Sequence, residues 1–216
     1  MNTKCKVCPS SEFKNYIEFG EQPISHHYSY QKDEIVNDIN IPLSLCQCYS
    51  CATIQLEYLS PIKYYNFRFP WVRQSEPEAH LDDLVQQIVS LPGINNNSLI
   101  WGLTYKDQSM IDRFKEIGFK KCRTIRYQDL EVKGDQNNNI AWIQGQVNKN
   151  VFNQLIEKYG KPNIIIARHL LEHAHNTLEF LESLSMVASY GSYIVIEVPE
   201  CSRLIKNLDY TMLWEE

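Results

Sequence analysis

No stretch of this sequence is apolar for long enough to cross a membrane. Its longest apolar runs, such as Ile164–Ala167, fall far short of the ~18 residues that a spanning helix needs. No apolar segment follows the opening Met1-Asn-Thr-Lys-Cys-Lys, so no secretory signal is expected. There is no excess of positive charge: 21 Lys and Arg stand against 26 Asp and Glu, a formal net charge of −5. Non-specific nucleic-acid binding needs a basic footprint, so it is not expected here. The Gly-x-Gly-x-x-Gly spacing of dinucleotide-binding turns is also missing. These absences lead to the expectation of a cytoplasmic protein that binds neither membrane nor nucleic acid.

What is present suits a packed protein. The 216 residues are 44% hydrophobic and 22% charged, which excludes a disordered chain. That length allows one to two domains. Seven cysteines are present, five of them within the first 51 residues: Cys5, Cys8, Cys46, Cys48 and Cys51. An odd count with no secretory signal argues against a disulfide framework. The pairs Cys5-Lys-Val-Cys8 and Cys48-Tyr-Ser-Cys51 each form a knuckle that presents two thiolates. Two knuckles make a closed four-cysteine zinc site of structural type. The competing reading is a set of reduced thiols without metal. Cys46 offers a second register with Cys48, but Cys48 and Cys51 restore the two-residue spacing. Cys46 is then expected to be a small buried hydrophobe in a strand.

Around the knuckles, Gly20-Glu-Gln-Pro23 reads as a turn and Ile54–Leu59 as a half-buried strand. The aromatic stretch Tyr64–Trp71 suits either a plug between domains or a pocket lining. From Glu78 the pattern alternates. Helical spacing at Leu81, Leu84, Val85, Ile88 and Val89 precedes a strand at Ser98–Gly102. A helix through Met110, Ile111, Phe114 and Ile117 precedes a strand at Cys122–Tyr127, and Ile140–Ile143 is a further short strand. A helical face at Val151, Phe152, Leu155 and Ile156 precedes the apolar strand Ile164–Ala167. A last helix, with Leu178, Leu181, Leu184 and Val187, leads into Tyr193–Val198. Such alternation predicts an α/β fold with a parallel sheet covered by helices on both faces. Ligands of such sheets sit at the carboxyl ends of the strands. Three features fall there: Gly102 to Asp107, Arg168 to His173, and Glu197 to Glu200.

A four-cysteine module followed by such a sheet resembles the zinc-containing sugar C-methyltransferases, a group of class I methyltransferases. The stretches that carry the resemblance are Cys5-Lys-Val-Cys8, Gly20-Glu-Gln-Pro23, Cys48–Leu56, Ala167-Arg-His-Leu-Leu-Glu-His173 and Ile196-Glu-Val-Pro199. The resemblance implies a zinc module over residues 1–72 and a Rossmann-like methyltransferase domain over 73–216. It implies S-adenosylmethionine as cofactor, structural Zn2+ on Cys5, Cys8, Cys48 and Cys51, and a nucleotide-linked keto-deoxysugar as substrate. Gly102, Asp107, Arg168 and His169 are then the expected cofactor-binding residues, and His173 and Glu216 the expected catalytic ones. Proton removal beside the ketone would give an enolate that takes the methyl group.

The sequence also departs from that family. The glycine-rich loop, roughly Glu-x-Gly-Ser-Asn-Asp-Gly in the family, reads Ile100–Gln108 here, with two extra residues between Gly102 and Asp107. Arg126 or Tyr127 stands where an acidic residue normally meets the cofactor ribose, with Asp129 two or three residues later. Trp214 and Glu216 take the places of a Tyr-x-Glu-His cluster whose histidine would come next, so a truncated chain is expected. These departures sustain a second expectation, a methyltransferase-like protein that is a zinc-stabilised binding module and has lost its cofactor.

Overall fold

The computed structural model describes residues 4–24, 39–61, 77–126, 148–174 and 176–207. The aromatic stretch at 64–71 and the short strand expected at 140–143 lie outside these residues. The chain divides into two compact units. One holds an antiparallel sheet near the N-terminus together with the last helix, and the other holds a parallel sheet with the helices packed on it.

The antiparallel sheet has the order β1-β2-β3, from β1 (Phe13–Pro23), β2 (Asn40–Cys48) and β3 (Ile54–Leu56). β2 pairs with both neighbours, with Phe13 opposite Cys48 and Leu45 opposite Leu56. Ile41, Leu45, Cys46 and Cys48 are buried along it. Gly20 to Pro23 is not a turn but part of β1. The β1–β2 register shifts between Glu18 and Glu21, and Gly20 takes φ 72° inside that irregularity. A bulge of this kind needs a left-handed residue, which glycine supplies without steric cost. The composition that reads as a turn thus serves a bulge. β3 is shorter than its alternating pattern, ending at Leu56.

In the second unit, α1 is His80–Val89, β4 Leu99–Gly102, α2 Gln108–Glu116, β5 Lys121–Thr124 and α3 Lys149–Tyr159. Then come β6 (Ile164–Arg168), α4 (Thr177–Val187) and β7 (Tyr193–Glu197). A final helix, α5 (Cys201–Asn207), has no counterpart in the sequence reading. The four strands are parallel in the order β5-β4-β6-β7. Alternate residues of the inner strands face opposite ways. Ile100, Ile164 and Ile166 meet Leu81, Val85 and Ile88 of α1 and Met110, Ile111 and Phe114 of α2. Trp101, Ile165 and Ala167 meet Val151, Phe152 and Leu155 of α3 and Phe180, Leu184 and Val187 of α4. Helices therefore cover both faces, and every residue of β6 is buried, as a strand enclosed on both sides requires. β5 stops at Thr124, short of the expected Tyr127.

The strand order sets the location of any ligand site. From β4 the chain first moves outward to β5, then returns to the other side of β4 to form β6. The crevice at the carboxyl ends of β4 and β6 is the switch point of the sheet, where open parallel sheets bind their ligands.

One backbone feature in the first unit is adverse. Ala52, just after the second cysteine pair, has φ 61°, a conformation that costs a residue with a Cβ roughly 1 kcal/mol. Ala52→Gly is expected to stabilise the zinc-loaded protein by up to about 1 kcal/mol, less whatever the freer unfolded chain gives back. Urea unfolding of the two proteins measures it.

Candidate functional site

The first candidate centre is the cysteine cluster. The turn before β1 carries Cys5 and Cys8, Cys48 ends β2, and the turn that follows it carries Cys51. Antiparallel pairing of β1 with β2 brings the two turns together. Cys5 Sγ lies 3.6 Å from Cys51 Sγ, and Cys8 Sγ lies 3.6 Å from Cys48 Sγ. All four sulfurs lie within 4.8 Å of one another. A tetrahedral zinc with ~2.3 Å bonds to sulfur has sulfur–sulfur edges of about 3.8 Å, so the four thiols fit Zn2+.

Electrostatics around the cluster favour the deprotonated form at some sulfurs and oppose it at others. Backbone N–H groups of Cys51 and Ser50 donate to Cys48, outweigh its burial and hold its thiol down at about 6. The Ser10 N–H favours the Cys8 thiolate too, but burial and the neighbouring thiols push Cys8 up to about 12. Four thiolates this close repel one another unless a dication sits between them. Cys46 is buried at 1% exposure and is not one of the four.

The second candidate centre is the carboxyl edge of the parallel sheet. Gly102 ends β4, and Arg168 ends β6. The loop between β4 and α2 closes on itself through Asp107. One Asp107 carboxylate oxygen accepts from the Thr104 N–H at 2.7 Å and from the Thr104 hydroxyl at 3.3 Å. The other accepts from the backbone N–H of Arg168 at 3.0 Å. Asp107 is fully buried. A Cβ at position 102 would lie 2.6 Å from the Cβ of Asp107, so the glycine is needed for this closure. The N–H groups of Leu103, Thr104, Lys106 and Asp107 all donate within the protein. A pyrophosphate-binding turn needs such groups free, which removes the support for a dinucleotide site here.

Arg168 is buried at 1% exposure. Its Nε donates to Glu197 at 2.6 Å, and one terminal nitrogen donates to Glu78 at 3.1 Å and to the Lys106 carbonyl at 2.6 Å. Burial alone would lower the Arg168 pKa, but the two carboxylates outweigh it and raise it. Burial likewise would raise Glu78 and Glu197. The Ser109 hydroxyl and Arg168 hold Glu78 below its ordinary value, and Arg168 and His80 do so for Glu197.

Glu197 also faces two histidines. One of its oxygens lies 3.1 Å from His80 Nε2 and 3.3 Å from His169 Nε2. His169 Nδ1 lies 3.3 Å from Glu172. His169 has φ 49°, and this left-handed backbone follows directly on β6. Non-glycine residues hold that conformation where the surroundings fix them, often at functional sites.

Gly102, Asp107, Arg168 and His169 thus share one edge. His173 closes the short 3-10 turn Leu171–His173 that follows, and Glu216 lies outside the described residues. Sequence reasoning missed Glu78 and His80, which flank the start of α1. Neither belongs to a motif, and an acidic residue before a helix is too common to single out. The edge sets two partly exposed carboxylates, Glu78 and Glu197, on one buried guanidinium, and a third, Glu172, on His169 beside it.

Comparison with known proteins agrees with the resemblance drawn from the sequence. Residues 5–64 match a family model described as "Putative zinc binding domain". The chain is similar to the C-methyltransferase NovU of Streptomyces niveus, at 18% identity over 99% of this chain and 51% of that protein. It therefore spans about half the length of that relative. No helix among the described residues is long and apolar enough to cross a membrane.

Two predictions follow from the edge. Arg168→Met strands two carboxylates beside an apolar chain. The expected loss is about 2–4 kcal/mol, below the ~3–5 of a fully buried pair because both carboxylates keep contact with water. Adding Glu78→Gln and Glu197→Gln should recover part of it in urea unfolding. The second concerns Asp107, which burial raises to about 7 although the N–H groups of Thr104 and Arg168 pull it down. The folded protein then holds a proton that the unfolded chain releases. The associated stability is full below the ordinary carboxylate range and is lost as pH rises through about 7. Glu78 and Glu197 act oppositely, and their contribution falls away only at more acidic pH. Asp107→Asn should therefore flatten the decline of stability between about pH 5 and pH 8, read from denaturant midpoints.

Proposed function

We propose that this chain is an S-adenosylmethionine-dependent C-methyltransferase acting on a nucleotide-linked keto-deoxysugar. The observation that carries the reading is the similarity to a C-methyltransferase over 99% of the chain. The four-cysteine module and the acidic edge at the sheet's switch point are consistent with it. Zinc has a structural part in this reading, because four thiolates fill its tetrahedron and leave no position for substrate.

S-adenosylmethionine, when bound, supplies an electrophilic methyl group on a sulfonium. Glu172, Glu197 and His169 would hold the cationic cofactor at the carboxyl ends of β6 and β7, while Gly102 and Asp107 shape the loop beside it. Arg168 would act through Glu197, since its guanidinium is already engaged within the protein. His173 and Glu216 are the proposed acid–base residues. One of them takes the proton from the carbon next to the substrate ketone, and its imidazole nitrogen or carboxylate oxygen holds that proton while the enolate reacts. Exclusion of water and alignment of the enolate carbon supply the rest of the acceleration.

A second reading, a zinc-stabilised binding module without cofactor, has its own support. Two of the four expected cofactor residues, Asp107 and Arg168, are fully buried and engaged within the protein. Calorimetric titration of the zinc-loaded chain with S-adenosylhomocysteine separates the two. The first reading expects a micromolar dissociation constant, about −8 kcal/mol. No heat of binding from a folded, zinc-loaded sample would replace it with the second.

A further inference from the structure

The four cysteines do not hold their own geometry. Each knuckle is a turn whose sulfurs converge only if the backbone around them is fixed, and β3 with the residue just before it supplies the fixing groups. Thr53 immediately precedes this strand and Gln55 lies within it.

Gln55 is buried at 7% exposure. Its side-chain oxygen accepts from the Lys6 N–H at 2.9 Å, and its side-chain nitrogen donates to the Lys4 carbonyl at 3.1 Å. Those two backbone groups flank Cys5, so one amide grips the first knuckle on both sides of its leading ligand. Glutamine suits the place because it offers an acceptor and a donor in one plane. Thr53 does the matching service for the second knuckle. Its hydroxyl lies 3.2 Å from Cys51 Sγ, and its backbone N–H also bonds that sulfur. A thiolate at Cys51 accepts from both donors. The Thr53 carbonyl in turn accepts from the Cys48 N–H at 2.9 Å.

We propose that Gln55 and Thr53 are positioning residues for the metal centre: one short segment, the start of β3 and the residue before it, holds both knuckles in ligating geometry before and after the ion binds. Neither residue touches the metal. Groups that orient metal ligands commonly change metal affinity by about 10–100-fold when removed.

The test uses the full chain loaded with zinc, with a chromophoric chelator in excess to report release. Gln55→Leu keeps the size of the side chain and removes both hydrogen bonds. It is expected to release zinc at least about 10-fold faster, and its cobalt-substituted form should show weakened and shifted thiolate-to-cobalt bands. Gln55→Glu retains only the acceptor and should fall between Gln55→Leu and the wild type. Thr53→Val should also release faster, by a smaller factor. Ser44→Ala serves as the control. It removes a bond to Glu57 on the same sheet, 2.9 Å long, without touching a knuckle, and should release at the wild-type rate. Wild-type release and an unchanged cobalt spectrum in Gln55→Leu would overturn the proposal. So would an equal acceleration in Ser44→Ala, which would reduce the effect to general weakening of the sheet. If Gln55→Leu does not fold, Thr53→Val decides alone: faster release supports the proposal and wild-type release overturns it.

Discussion

A guanidinium buried among packed strands and helices is the constraint around which the carboxyl edge of the parallel sheet is built. A cation so placed needs charged partners and filled hydrogen-bond positions, or its desolvation dominates. Arg168 finds them in separate parts of the chain: Glu197 at the end of β7, Glu78 ahead of α1, and the Lys106 carbonyl ahead of α2. Its own backbone N–H is held by Asp107, and Asp107 packs so close to β4 that only glycine fits at 102. The side chain and backbone of one residue therefore tie β4, β6, β7 and two helix starts together at the switch point.

The N-terminal unit rests on a different principle. Its three strands bury few large side chains among the described residues, chiefly Ile24, Ile41, Leu45 and Leu56. Small modules of this size seldom gain enough from apolar burial alone and commonly use a metal as a covalent staple. The cysteine cluster meets that need. Its tetrahedron joins the chain before β1 to the turn after β2, so the metal and the strand pairing enforce the same closure.

Much of this was legible in the sequence, for reasons that differ by residue. The cysteine pairs were readable because ligand spacing within a knuckle is local. β6 was readable because a strand covered on both faces is apolar at every position. Gly20 was misread because turns and bulges ask for the same left-handed residue, and the strand partner that decides between them lies about twenty residues away. Arg168 was legible as a residue at a strand end but not as a buried cation, because its partner Glu78 is 90 residues earlier. Gln55 lies in a stretch that carries the family resemblance, but its own role was not legible, since its work is done on a backbone segment 51 residues upstream. Pattern reading recovers what neighbours in sequence determine, and it loses what the closure of the fold creates.

The same distinction separates the residues that can meet a ligand from those that place them. Asp107 and Arg168 have no exposed surface to offer, whereas the side chains of His169, Glu197, Glu172 and His80 keep 15%, 20%, 24% and 53% of theirs. These four form a continuous chain from Glu172 through His169 and Glu197 to His80. Glu197 is its central member and is fixed from beneath by Arg168. A charge at Glu197 is favoured because the guanidinium behind it is buried and unable to turn to water. The buried cation thus sets where the carboxylate stands and keeps it ionised. The exposed half of the network presents that carboxylate at the carboxyl edge of the sheet, held in place before anything meets it.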